Sequence, residues 1–308
     1  MKTLIGIVTF GNLPFTQLTI AEIRRHTTVP FDLFVIVGKP GDMETWNWLT
    51  NEGIKCEAHP VNRGFPASLN DIFDYAWSDP AVENVILCGN DVLPYPGAID
   101  AMVAEAARGE WEWICASQFD VKALCATYPA AWKYFSGSNY QFTDYTTRPW
   151  DMHTPVAVAC APGIEPHQLK DVQNLCLYRR SVFEKLGYFD ANFWPNGYFS
   201  DNDYARRAVN AGIKGCGLPH AQYFHFWSRT IHQGETRPND TYFERNQEFY
   251  LLKWGGPFAA EKWVEPFGGH YPHHLGVDRE GYEIALPASL KIYGRANENA
   301  IIEHWRNK

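Results

Sequence analysis

At 308 residues, 45% hydrophobic and 20% charged, the chain has material for a sizeable buried core, which excludes a disordered segment and fits one large domain or two small ones. A formal net charge of -8 argues against a broad electrostatic hold on nucleic acid or on an anionic membrane. The seven cysteines are odd in number and lack CxxC spacing, so they read as reduced, buried and structural.

Residues 4–10 are apolar and β-branched and predict a strand. Gly11 to Pro14 then make a turn, with Asn12 placed to cap a helix over 15–25. The strand signal returns at 31–37, breaks at Gly38 to Asp42, and gives way to a helical pattern over 43–51 that stops at Gly53. A short strand over 54–58 leads through Asn62, Arg63 and Gly64 to a helix over 67–77, where Leu69, Ile72, Phe73 and Ala76 keep helical spacing.

Residues 85–88 form an apolar run bounded by turn residues, the mark of a strand buried on both faces of a parallel sheet. The run ends in Gly89, Asn90 and Asp91. In an open α/β sheet the carboxyl ends of the strands face the ligand crevice, so Asp91 would stand where a substrate or a metal can reach it. A turn or a helix cap is the simpler explanation of an Asp there. A helix over 96–107 and a strand over 111–116 complete an alternation that points to a mostly parallel sheet flanked by helices.

Residues 118–174 lose periodicity and are dense in Tyr, Trp, Pro, Ser and Thr; loops of this length inside a compact domain are usually functional. Regularity resumes with a strand over 175–178 and a helix over 181–186. Ser200, Asp201, Asn202 and Asp203 open a helix that runs to Ala211, where Asp is favoured both as a cap and by the helix dipole. Strands over 215–218 and 222–226 bring His225 to a strand end, beside enough aromatics that a packed core histidine is the plain alternative. A helix over 242–254 precedes a Gly-, His- and aromatic-rich tail with strand signals at 284–286 and 290–293. In that tail His270, His273 and His274 lack a further carboxylate or thiolate at zinc-ligand spacing. The chain enters its first strand too early for a signal peptide and has no apolar stretch near the roughly 20 residues of a membrane span. The expectation is a cytoplasmic protein with no transmembrane segment.

Taken in order, four stretches resemble the inverting nucleotide-sugar glycosyltransferases of the family 2 type, which have the GT-A fold. Residues 4–10 look like that family's first strand. Asn62, Arg63, Gly64 and Phe65 with Asn70 are similar to its N-x-G helix entry with a later Asn, and residues 87–92 with Pro96 and Gly97 to its L-N-D-D-V…P-G segment, the local form of the DXD motif. The most specific likeness runs from Gly187-Tyr188-Phe189-Asp190 through Tyr198 to Asp203 and on to Arg206, Ala211 and Gly212, which resembles G-G-F-D…G-Y-E-D-x-D-L…R…A-G. The helix over 242–254, with Arg245, Asn246 and Lys253, is similar to the one that follows the catalytic core.

The resemblance implies an α/β GT-A domain: a nucleotide-sugar-binding half over 1–117, an acceptor-binding and catalytic half over 118–254, and a carboxyl-terminal extension over 255–308. It implies Asp91 and His225 as ligands of Mn2+ or Mg2+, the oxygen donor suiting either ion and the imidazole tilting the choice toward Mn2+. Asp201 would be the catalytic base, and Thr9, Phe10, Asp42, Asn62, Gly64, Asn70 and Asn90 would surround the base, ribose and diphosphate of a UDP-, GDP- or dTDP-sugar. Asn62 and Gly64 are equally well read as a turn. The sequence departs from the pattern in three places: Gly89 and Asn90 leave Asp91 as the single charge of the DXD segment, Gly38 stands where an Asp usually ends the second strand, and Ser200 replaces a Glu. The Q-x-x-R-W segment of processive synthases is missing, which favours transfer of one sugar to a saccharide or lipid-linked saccharide. Alternatives are a glycosyltransferase acting on a modified base in DNA, with the aromatic loop stacking on it, and a nucleotide-sugar-binding protein without turnover. A nucleotidyltransferase is disfavoured, because Gly11 to Pro14 offers no basic phosphate loop.

Overall fold

The computed structural model describes residues 2–118, 167–168, 174–193, 196–226 and 239–270. In chain order the elements are β1 (Lys2–Thr9), α1 (Leu13–His26), β2 (Phe31–Val37), α2 (Met43–Asn51), β3 (Lys55–Ala58), α3 (Phe65–Trp77), β4 (Val82–Gly89), β5 (Val92–Pro94), α4 (Ala98–Arg108) and β6 (Trp113–Gln118). They continue with β7 (His167–Gln168), β8 (Leu175–Arg179), α5 (Arg180–Leu186), α6 (Ser200–Asn210), β9 (Gly215–His225), α7 (Asn239–Trp254) and a final 3-10 turn at Pro266–Gly269.

One sheet organises them, in the order β3-β2-β1-β4-β8-β6-β9-β5, with β7 on β9. The strands alternate their side chains between two apolar layers, as the period of a strand requires. Ile5, Ile7, Val35, Val37 and Ile86 face Ile20 and Ile23 of α1, Leu49 of α2 and Met102 of α4. Leu4, Val8, Phe34, Ile36 and Val85 face Ile72 and Phe73 of α3, Val182 of α5 and Tyr204 of α6. Gly6 lets α3 approach closely, since a Cβ there would lie 2.2 Å from Ile72 Cγ2.

β1 pairs in parallel with β2 and β4, as the alternation of strand and helix predicts. The sheet then becomes mixed: β8 enters antiparallel between β4 and β6, and β9 runs parallel to β6. Two reversals restore the original direction, so β1, β2, β4, β6 and β9 all end at one edge. Residues 9–10, 38, 89–91 and 225 are gathered there.

Several expectations change. β5 was not anticipated: three residues including a proline are too short a signal, and the strand exists because it pairs with β9. The two strands expected over 215–226 are one, with a register shift opposite Ala116 and Ser117. Asn12 stands at the N-cap of α1, but its backbone is left-handed (φ 61°) and its side chain makes no cap bond. The residue before α6 is Phe199, also left-handed (φ 68°), so Asp201 lies inside the first turn rather than capping it. The strand signals at 284–286 and 290–293, most of the 118–174 loop, and His273 and His274 lie outside the described residues. Among the described residues no helix is long and apolar enough to cross a membrane.

Candidate active site

β4 ends at Gly89, and two residues later β5 turns back to lie antiparallel on β9 with Val92 opposite His225. The Phe226 N–H donates to the Asp91 carbonyl at 3.0 Å, extending the ladder by one rung. This register sets Asp91 and His225 side by side, with Nε2 3.3 Å from Oδ1 and only 15% and 11% of the respective side chains exposed. A Cβ at Gly89 would fall 3.0 Å from Val92 Cγ2 and 3.3 Å from Asp91 Oδ1, so a larger residue there would crowd the carboxylate. Burial, and after it the charge of Asp91, pushes the Cys88 thiol up and keeps it protonated. The other ring nitrogen of His225, Nδ1, is 3.0 Å from Asn174 Nδ2.

The pair fits a divalent ion. Bonds of roughly 2.1 Å at right angles put two ligand atoms ~3.0 Å apart, close to the observed 3.3 Å. One hard oxygen and one imidazole suit an ion of the Mg2+ to Mn2+ class, with substrate oxygens and water completing the shell. A second acidic group, Glu57, His59 and Asp71, has ligand atoms within 4.8 Å of one another at the β3–α3 end of the sheet. There Asp71 is bonded to the Arg63 guanidinium and lies 2.9 Å from His59, so it already has a cation. The Asp91 pair is the better metal candidate.

Asp201 is placed by the first turn of α6 rather than by a strand end. α3 begins at the carboxyl edge of the sheet because it follows β3, and a Cβ on Gly197 would lie 2.7 Å from Phe65 Cδ1 at its start. The entry to α6 therefore packs on the entry to α3. Ser200 Oγ donates to the Gly197 carbonyl at 2.6 Å and fixes the turn. Asp201 keeps an exposed surface, with Oδ1 accepting the Asn202 N–H at 2.9 Å. The protein around it desolvates the carboxyl and raises its pKa, with the backbone N–H bonds pulling the other way.

The remaining predicted residues divide by what their side chains hold. Thr9 and Asn90 are buried against each other: Asn90 Nδ2 lies 3.3 Å from both Thr9 Oγ1 and Thr16 Oγ1, and Thr19 Oγ1 donates to the Asn90 carbonyl at 2.7 Å. They tie the β1–α1 turn to the end of β4, and Phe10 follows half-buried at the edge. Asp42 caps α2 through the Thr45 N–H at 3.1 Å. Asn62 accepts the Gly64 N–H at 2.9 Å, the turn reading, and Gly64 (φ 82°) precedes α3. Asn70 is occupied at both ends, donating to the Phe189 carbonyl at 2.9 Å and accepting its N–H at 2.8 Å. Its amide clasps α3 to the segment after α5.

Two features escaped the sequence. Asn174 hides at the end of the patternless loop. Lys253, read only as part of a helix, is fully buried between Asp190 Oδ2 at 2.7 Å and Asp203 Oδ1 at 2.6 Å.

No protein-family model matches the chain, and no curated protein matches it. Solved structures do. The mannosyltransferase PcManGT from Pyrobaculum calidifontis, in complex with GDP-Man and Mn2+, aligns with a TM-score of 0.51 and 12% identity over 81% of this chain and 61% of its own. S. aureus TarS 1-349 gives 0.51 and 11% over 73% and 60%. GalNAc-T7 with UDP, GalNAc and Mn2+ gives 0.53 and 13% over 84% and 52%. The fold is GT-A. In this GT-A domain Asp91 and His225 stand at the carboxyl edge of the sheet, the edge at which open α/β sheets generally bind ligands. The chain spans about half to three-fifths of the length of these structures.

Proposed function

We propose that the protein is a metal-dependent, inverting glycosyltransferase that moves one sugar from a nucleotide-sugar donor to an acceptor hydroxyl. The observation that carries this reading is the 3.3 Å pairing of Asp91 with His225 at the carboxyl edge of the sheet. Two of the structural neighbours were solved with Mn2+ and a GDP-sugar or UDP, which supports a nucleotide-sugar donor here. The acceptor class, a saccharide or lipid-linked saccharide, rests on the sequence resemblance.

Mn2+ or Mg2+ held by Asp91 and His225 would neutralise charge on the diphosphate as it departs. Asp201 accepts the proton of the acceptor hydroxyl while that oxygen bonds to the anomeric carbon. The bond from that carbon to the diphosphate oxygen breaks, and its electron pair leaves with the diphosphate. Proton removal of this kind contributes about 10²-fold to 10⁴-fold in rate. The exposed Asp201 stays open to the acceptor.

A panel of sugar nucleotides, read by nucleoside-diphosphate release with and without Mn2+, tests the reading. Metal-dependent release from one donor is expected. A second reading, binding without turnover, is favoured by the inward-facing Asn90, which leaves one carboxylate at the metal pair. Tight, metal-insensitive donor binding with no sugar release would establish it instead.

A further inference from the structure

The His225 ring is held from both sides. Nε2 faces Asp91 Oδ1 at 3.3 Å, and Nδ1 faces the Asn174 amide at 3.0 Å. Asn174 is itself fixed through its backbone: its N–H donates to the Tyr223 hydroxyl at 3.2 Å, and its carbonyl accepts the Gly89 N–H at 3.3 Å. It thus bridges the two strand ends that supply the metal pair, β4 and β9, and its side chain is left to serve the ring.

An imidazole must offer Nε2 as a lone pair to bind a cation beside Asp91, and a neutral ring can do so only when its proton sits on Nδ1. With the Asn174 amide nitrogen facing Nδ1, the ring carries its proton on Nε2, pointed at Asp91. With the amide turned over, its oxygen accepts Nδ1–H and Nε2 is free. A side-chain amide presents both faces in the same volume, which a carboxylate or a hydrocarbon of similar shape does not.

We propose that Asn174 is a positioning residue that sets the tautomer of His225, its side-chain amide oxygen accepting Nδ1–H so that Nε2 offers its lone pair to a metal beside Asp91. The inference rests on the reading of Asp91 and His225 as the metal pair. Outer partners of metal-bound histidines typically contribute 10-fold to 100-fold in affinity. Because the strand contacts of Asn174 run through its backbone, replacing the side chain leaves them in place.

The test is Mn2+ binding followed by calorimetry at a pH well above about 6.5, the ordinary imidazole value, together with ring 15N shifts of His225 in metal-free protein. Wild type, Asn174→Leu, Asn174→Asp and His225→Ala are compared, with circular dichroism as the control for folding. Asn174→Leu is expected to weaken Mn2+ by about 10-fold to 100-fold and to lose the single tautomer of the wild type. Asn174→Asp, an acceptor in either orientation, is expected to place the proton on Nδ1 and keep Mn2+ binding within a few-fold of wild type or tighter. Unchanged affinity and ring shifts in Asn174→Leu would overturn the role of Asn174 while leaving the metal pair standing. No Mn2+ binding by wild type, or wild-type affinity in His225→Ala, would overturn the metal pair and this inference with it.

Discussion

Asp201 and Asp203 stand two positions apart on α6 and point to opposite environments: Asp201 is exposed, whereas Asp203 is fully buried and bonded to Lys253, Arg207 and the Trp254 indole. Residues at i and i+2 on a helix do not share a face, so a run of acids at a helix start splits into one for solvent and one for the core. The same short motif thereby supplies a carboxylate for chemistry and another for holding the helix in place.

Replacing these two acids should separate activity from stability. Asp201 is exposed and its carboxyl holds only the local Asn202 N–H bond at 2.9 Å, so removing its charge should change the stability of the fold little. Asp201→Asn is therefore expected to keep a Tm close to that of wild type while transfer falls about 10²-fold to 10⁴-fold. The acid limb of the kcat/KM profile should lie above about 3.9, the ordinary Asp value. Asp203→Asn should instead lower Tm markedly. Thermal melts and nucleoside-diphosphate release on both variants check this, and normal turnover by Asp201→Asn would remove its assigned role.

Lys253 is the next target. It has no exposed surface, lies between Asp190 and Asp203, and sits 5.7 Å from the centroids of the Phe193 and Trp254 rings. Lys253→Met leaves Asp190 buried without its cation and Asp203 with Arg207 as its remaining ion-pair partner, and breaking a buried pair typically costs about 3–5 kcal/mol, or roughly 10 °C in Tm for a domain of this size. Burial alone would raise the Asp190 pKa, but the Lys253 charge and the bonds from Lys253 and Asn192 outweigh it and hold the carboxyl below its ordinary value. A depressed carboxyl stabilises the fold above its unfolded value of about 3.9 and loses that contribution as pH falls through the folded value. Wild type should thus lose stability progressively below about pH 4, and Lys253→Met should show a flatter acid limb in a denaturation series against pH.

Much of the architecture was legible because it is local. Period-two and period-3.6 patterns placed β1, α2, β2 and β4 within a few residues, since each buries one continuous apolar face. What escaped depends on partners distant in the chain. β5 holds only Val92, Leu93 and Pro94 and exists through β9, yet it is the pairing that sets Asp91 beside His225. Lys253 lies beside Leu251 and Leu252, which are each 37% exposed while the lysine is fully buried, the reverse of what hydropathy suggests. No periodicity encodes two aspartates as distant in the chain as Asp190, 63 positions upstream, and Asp203. The resemblance implies a donor-binding role for Asn70, whereas its bonds to the Phe189 backbone, 119 positions on, follow no local pattern.

Removing the metal pair should act on binding before stability. Asp91→Ala or His225→Ala each deletes one of two candidate ligands at the carboxyl edge of the sheet. Each is expected to weaken Mn2+ by more than 10-fold, with transfer recovering in part at high Mn2+ for His225→Ala. Treatment of wild type with a chelator should abolish transfer reversibly. Calorimetry with Mn2+ and activity before and after re-addition provide the check; chelator-resistant turnover would exclude a metal role for the pair.

Gly197 offers a geometric test of how Asp201 is placed. Its φ of 75° is left-handed, and an added Cβ would lie 2.7 Å from Phe65 Cδ1 and 3.3 Å from both Phe65 Cβ and Ser200 Oγ. Two costs are therefore superposed in Gly197→Ala: about 1–2 kcal/mol for the left-handed backbone, and displacement of the turn away from α3. The second moves Asp201 relative to Asp91 and His225, and shifts of about 1 Å can cost 10²-fold in rate. Trimming the obstacle in Phe65→Ala/Gly197→Ala removes the collision but not the backbone term. The double variant should recover most of the lost kcat while its Tm stays below that of Phe65→Ala alone. A double-mutant cycle in kcat and Tm distinguishes the two costs, and purely additive loss of kcat would show that contact with Phe65 does not position the α6 entry.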